Sequence, residues 1–149
     1  MGAPPKADDE EATAEKLTEF DGIMFGVPTR FGMAAAQMKA FMDTTGGLWA
    51  KAGLLGKPAT IFFSTAIQNG GQETTALTFV TQLAHHGMIF VPMGPSTPDL
   101  FDLSEVHGGS AYGCGTIAGP DGSRQPSDLE KRVATHHGKY FGVVVSKFA

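Results

Sequence analysis

The stretch Gly26–Trp49, GVPTRFGMAAAQMKAFMDTTGGLW, decides the fold. An apolar run, Gly22-Ile23-Met24-Phe25-Gly26-Val27, leads into Pro28. A short loop follows, Thr29-Arg30-Phe31-Gly32, and then a helical pattern over Met33–Asp43 that closes on Gly46-Gly47. The apolar run does not alternate with polar residues, so it predicts a strand covered on both faces, as in a parallel sheet. A buried strand, a compact polar loop at its carboxyl end and a helix leading away form the unit that builds ligand sites in open α/β sheets.

Two further runs of the same kind lie downstream, Ala59–Phe63 and Met88–Val91. Between them, Glu73–His86 repeats Ala76/Leu77, Val80 and Leu83/Ala84 at helical spacing and stops at Gly87, a good helix-ending residue. Strand–helix–strand–helix–strand with right-handed crossovers gives a three-layer α/β/α fold with a parallel sheet. Upstream, Thr13–Phe20 reads as a short helix. Downstream, Met93–Gln125 is a long Gly/Pro/Ser-rich loop, of a length that points to a functional lid, an assembly surface or disorder. Its Gly108-Gly109-Ser110-Ala111-Tyr112-Gly113-Cys114-Gly115 does not run from strand into helix, so it is no nucleotide fingerprint. The last element opens on a capping box, Ser127 with Glu130. Leu129, Val133, His136/His137, Tyr140 and Val144 continue a helical stripe, which overrides the strand preference of Val143-Val144-Val145.

The 149 residues suit one domain, 1–149, with a real core. With 42% apolar and 17% charged residues, the chain reads as globular rather than disordered. A net charge of −4 and no Lys/Arg cluster argue against a nucleic-acid or anionic-membrane surface. Cys114 is the single cysteine, so no intrachain disulfide forms and a cytoplasmic setting fits; the residue reads as small loop filler. The acidic start, MGAPPKADDEEATAEKL, has no apolar core and is no secretory signal. No apolar run approaches the ~20 residues of a membrane span.

Ligands collect beyond the carboxyl ends of the strands. Here those ends carry Pro28–Gly32, Ser64–Gln72 and Pro92–Ser96. The first two combine hydroxyls, amides and neighbouring aromatics, which suits a planar heterocycle with hydrogen-bonding edges. Taken singly, Thr29-Arg30 reads first as a turn with a surface arginine, and Phe31 and Trp49 as core aromatics. Glu73 in the first turn of the following helix would repel an anion, so the second loop is expected to meet neutral ligand edges. His85-His86 reads as a helix cap and His136-His137 as a half-buried helix turn; no metal site is expected, because no Cys or carboxylate lies at ligand spacing. With no triad and no paired carboxylates at strand ends, the pattern suits an enzyme whose cofactor carries the reaction.

VPTRFG, DTTGGLW, STAIQNGGQE, LAHHGM and GTIAGPDGSRQPS, in this order, resemble the WrbA-type flavodoxin-like NAD(P)H:quinone oxidoreductases over nearly the whole chain. The resemblance implies FMN as cofactor, NADH or NADPH as donor and a quinone as acceptor, in a two-electron ping-pong reaction. It also implies a homotetramer with sites near subunit contacts. Carried over by position, Thr29, Arg30 and Phe31 lie along the isoalloxazine. Ser64, Thr65, Ala66, Ile67, Gln68 and Asn69 form the second flavin loop, His85 (with His86 as its close alternative) is a flavin-pocket histidine, and Trp49 belongs to the substrate pocket. Catalysis needs no protein nucleophile. The second loop carries Ala66, Ile67 and Asn69 where the family is richer in glycine.

The family's phosphate-holding loop lies ahead of the region matching Met1. The resemblance therefore implies a chain truncated at its N-terminus, lacking the first strand-helix-strand portion, with Gly22–Val27 as an exposed edge. It implies a weakened hold on FMN, by about 3–6 kcal/mol for two or three charge-assisted hydrogen bonds. A second reading follows from that: an inactive remnant that keeps the assembly surface and serves as an oligomerisation or interaction module.

Overall fold

A computed structural model describes Pro5 and residues 7–148; most of the MGAPPK start, and Ala149, lie outside the described residues. The elements are β1 (Ile23–Arg30), β2 (Met33–Ala34), α1 (Ala36–Asp43), α2 (Gly46–Ala50), β3 (Pro58–Thr65), α3 (Gln72–His85), β4 (Ile89–Phe90), β5 (Gly115–Ile117) and α4 (Asp128–Val145). Two 3-10 turns, Glu15–Thr18 and Pro98–Phe101, complete the list. Among the described residues no helix is long and apolar enough to cross a membrane.

β1 and β3 run parallel, in register from Ile23↔Ala59 to Pro28↔Ser64. β4 pairs with the start of β3 and β5 with its end, both parallel. β4 and β5 are thus two pieces of one sheet position, interrupted by a segment that leaves after Val91 and returns at Cys114. The return passes very close to β3: a Cβ on Gly113 would lie 2.0 Å from the Ile61 carbonyl oxygen, so this position requires glycine. On its other side, among the described residues, β1 pairs only with the two-residue β2, at Thr29↔Ala34 and Arg30↔Met33, and is otherwise a free edge.

Alternation assigns the faces. Phe25, Val27, Ile61 and Phe63 pack with Met42 of α1 and with Ala76, Phe79 and Leu83 of α3. The Phe25 and Phe79 rings stand 5.4 Å apart. α4 covers the opposite face, where His137 is fully buried. The Cys114 amide donates to His137 Nδ1 (3.3 Å), so the ring proton sits on Nε2 and goes to the Thr60 hydroxyl at 2.9 Å. Burial, with His136 adding, pushes the His137 pKa down to about 4. Burial pushes the Cys114 thiol up to about 11. Both groups are neutral core members and neither is activated as a nucleophile.

Ser127 caps α4 with its side chain, and Glu130 closes the box. The Glu130 side chain does more than close it. It is almost wholly buried and accepts from the amides of Gly108, Ile117 and Ser127, the Thr116 hydroxyl and the Arg124 guanidinium. Burial alone would raise its pKa; these donors outweigh that and hold it below the ordinary carboxylate value.

Four elements differ from the sequence reading. Pro28-Thr29-Arg30 belong to β1, and on the outer side of the strand the Pro28 carbonyl accepts from the Ala35 amide at 3.2 Å. Met33-Ala34 form β2 rather than the start of a helix, and the loop shrinks to Phe31-Gly32. The chain does not stop at Gly46-Gly47, because α2 begins there. Met93–Gln125 contains a 3-10 turn and β5, whose short Gly115–Ile117 run becomes strand because β3 offers it an open ladder.

His137 and Glu130 set the acid stability. Below pH 6.5 the unfolded chain takes up a proton that folded His137 refuses, so stability falls as pH drops from 6.5 toward 4. The Glu130 contribution is present above its ordinary pKa of 4.5 and is lost as pH falls through its depressed folded value. Urea unfolding at pH 7, 5 and 3 is expected to show the His137 loss first and the Glu130 loss at the lowest pH. Glu130→Ala at pH 7 is expected to cost roughly 3–5 kcal/mol, since it strands Arg124 and several buried donors.

Candidate functional site

The β1–β3 register brings the two sequence-predicted loops to one pole of the sheet. Thr75 donates to the Gly71 carbonyl at 2.8 Å, so the 2.9 Å contact between the Thr29 and Thr75 hydroxyls is donated by Thr29. The hairpin and the start of α3 touch, and a Cβ on Gly71 would lie 2.9 Å from Gly32 Cα.

Phe31 and Gly32 form the two-residue turn with φ of 51° and 75°, the primed geometry that suits a hairpin. A left-handed φ costs a non-glycine residue about 1–2 kcal/mol. Phe31 bears that cost with its side chain 104% exposed, so it is no core aromatic. Arg30 is exposed, and its guanidinium donates to the neighbouring Thr29 carbonyl at 2.8 Å.

In the second loop Ser64 is half-buried beside Pro28. Thr65 is buried, and its hydroxyl donates to the Ile67 carbonyl at 2.9 Å, pinning the turn. Ala66, Ile67, Gln68 and Asn69 are exposed. None of the four has positive φ; the left-handed step falls on Gly71 at +87°. The loop therefore accepts Ala66 and Ile67 without backbone strain.

This loop borders a cleft of about 360 Å³ whose far wall is His107, Gly109 and Ile117. His107 faces two carbonyl oxygens, Gly108 at 2.8 Å and Asp102 at 3.0 Å. Both contacts tie the ring to backbone, so His107 is held in place in the cleft wall. A larger groove, about 580 Å³, runs along the free edge of β1 past Leu17, Met24 and Phe41 to Pro28 and Arg30. His107 and Gly109 were not legible as site residues, and Gln72 was legible only as the last residue of the Ser64–Gln72 strand-end loop. The three come together only when β5 closes on β3, and the sole sequence signal of His107 and Gly109 was an unassigned glycine-rich run.

Trp49 and His85 lie elsewhere. Trp49 is 59% exposed on α2. His85 is exposed on the last turn of α3, a helix whose 14 residues carry the chain ~20 Å from the cleft. His86 is the buried member of the pair, and its Nε2 lies 2.7 Å from the Thr45 hydroxyl. That hydroxyl donates to the Met42 carbonyl, so His86 donates from Nε2 and its buried Nδ1 has no hydrogen-bond partner among the described residues. Burial, with His85 adding, lowers its pKa. Within one chain the expected site residues thus form two groups at opposite poles.

Residues 2–97 match the family model described as NADPH-dependent FMN reductase. The Quinone-oxidoreductase QR2 of Triphysaria versicolor is 60% identical over 148 residues, spanning 99% of this chain and 72% of that protein. The NAD(P)H quinone oxidoreductase PST3 of Candida albicans is 55% identical over 149 residues, spanning 99% and 75%. The flavodoxin, WrbA-like protein from Agrobacterium tumefaciens superposes with a TM-score of 0.67 at 23% identity, over 91% of this chain and 72% of its own. That likeness gives the fold: flavodoxin-like, with a mostly parallel open sheet. By the family model and by these relatives, the chain belongs to the NADPH-dependent FMN reductase family.

Proposed function

We propose that this chain is an FMN-dependent NAD(P)H:quinone oxidoreductase whose site is completed between copies. One observation carries the reading: Phe31, a fully exposed aromatic held in a left-handed turn beside an amide-rich cleft. An exposed ring and a strained backbone are two costs at one residue, and such sites are where function is sought.

The residues fit a flavin. Phe31 offers a flat apolar face, with Thr29 and Arg30 at its base. Ser64, Thr65, Ala66 and Ile67 lead to Gln68 and Asn69, whose side-chain amides suit the polar edge of a heterocycle. His107 and Gly109 line the opposite wall. FMN held there would supply two-electron redox chemistry between NADH or NADPH and a quinone, in the alternating turns of a ping-pong reaction. The protein binds, orients and excludes water.

Trp49 and His85 reach such a site only from another copy, because ~20 Å of α3 separates them from it within the chain. A homotetramer suits that requirement, with Trp49 stacking on the quinone and His85 against the flavin. A single buried cysteine and the acidic composition suit the cytoplasm.

Titration with FMN, followed by NADH and benzoquinone, is expected to give turnover; none at saturating FMN sinks the reading. Trp49→Ala is expected to raise the quinone KM several-fold. Phe31→Asn should raise stability by about 1 kcal/mol while weakening turnover, because asparagine tolerates the turn better. Refolding the Phe31→Asn and Trp49→Ala chains together is expected to restore part of the activity. No restoration means that both residues act within their own chain.

A further inference from the structure

We propose that Gln72 is the positioning residue that locks the two walls of the cleft into one frame and sets how tightly that frame takes FMN. The proposal rests on the flavin reading above. The Gln72 side chain makes three hydrogen bonds to three different parts of the fold. Its Nε2 donates to the Thr65 hydroxyl and to the Thr116 carbonyl, both at 3.0 Å, and its Oε1 accepts from the Gly109 amide at 2.7 Å. These partners are the end of β3, the strand β5, and the cleft wall beside His107.

The bonds have a fixed direction. Thr65 donates its one proton to the Ile67 carbonyl, so it can only accept from Gln72. The chain from Gln72 through Thr65 to Ile67 therefore shapes the second loop from below. Across the cleft, the same amide holds Gly109. The glycine-rich run makes room for it: a Cβ would lie 2.8 Å from Gln72 Nε2 if built on Gly108, and 2.6 Å from Oε1 if built on Gly115. An amide is required. A glutamate here would keep the bond to Gly109 but would set oxygen against the Thr116 carbonyl.

The test uses the full chain. Gln72→Leu and Gln72→Glu are compared with wild type and with Thr60→Val, a buried change on the opposite face that serves as a stability control. FMN affinity is read from quenching of FMN fluorescence, bound-flavin geometry from its visible circular dichroism, and loop motion from amide exchange of the apo chain. Both Gln72 variants are expected to bind FMN about tenfold more weakly, roughly one hydrogen bond's worth. They are also expected to alter the flavin dichroism and to speed exchange at Gly109 and the Ala66–Gly71 amides, with the quinone KM unchanged. Thr60→Val should lower the melting temperature and keep wild-type FMN affinity. The proposal is overturned if the Gln72 variants bind FMN within twofold of wild type, or if Thr60→Val weakens FMN equally. A wild-type chain that leaves FMN fluorescence unquenched overturns the cofactor reading itself, and the positioning role with it.

Discussion

The six parallel pairs from Ile23↔Ala59 to Pro28↔Ser64 constrain everything else in this molecule. Side chains alternate along a strand, so a slip of one residue would move Phe25 and Val27 out of the α1/α3 core and onto the face of α4. It would also separate Thr29 from Thr75, and with that the hairpin from the second loop. The register is held from both faces: by Phe25 against Phe79, and by the fully buried Thr60 against His137. The site is a by-product of this pairing, because two strands of matched length and direction must end at the same pole.

The other half of the site is organised by buried polar groups rather than by apolar packing. The sheet position beside β3 is shared by β4 and β5, each of which is too short to hold itself. Glu130 bridges this gap, since its carboxylate gathers donors from the cleft wall, from β5, from the loop at Arg124 and from its own helix terminus. Gln72 does the same from the side of α3. The wall at His107–Gly109 is thus fixed through two side chains that approach it from different elements. Unpaired buried donors are costly, so such a network tends to form as a whole or to fail as a whole.

The fold was legible where apolar runs exceed what a surface can carry. β1, β3 and α3 follow from such runs, and α4 follows from a capping box and a stripe long enough to override its valines. The short elements were not legible. β2 and β5 have only two or three residues, and their strand character comes from an open ladder on a neighbour. Site residues divide in the same way. Thr29–Phe31 and Ser64–Asn69 could be nominated because strand ends are where ligands collect, while Gln72 and His107 become neighbours only through the return of the chain after Gly113. The sequence reading of Phe31 and Trp49 as core aromatics fails because hydrophobic character says nothing about which end of an element a residue occupies.

The exposure of those two aromatics follows one logic at both poles. Phe31 sits on a turn whose backbone it strains, and Trp49 on a five-residue helix entered through two glycines that have open space around them. Neither backbone is stabilised by the aromatic it presents. A glycine or asparagine at the first position and an alanine at the second would suit each local structure better. Local structure and side-chain identity therefore disagree at both ends of the same sheet, on the two sides of a ~20 Å helix. Folding a single chain gives no reason for either disagreement, whereas a site that needs one aromatic from each of two copies gives a reason for both.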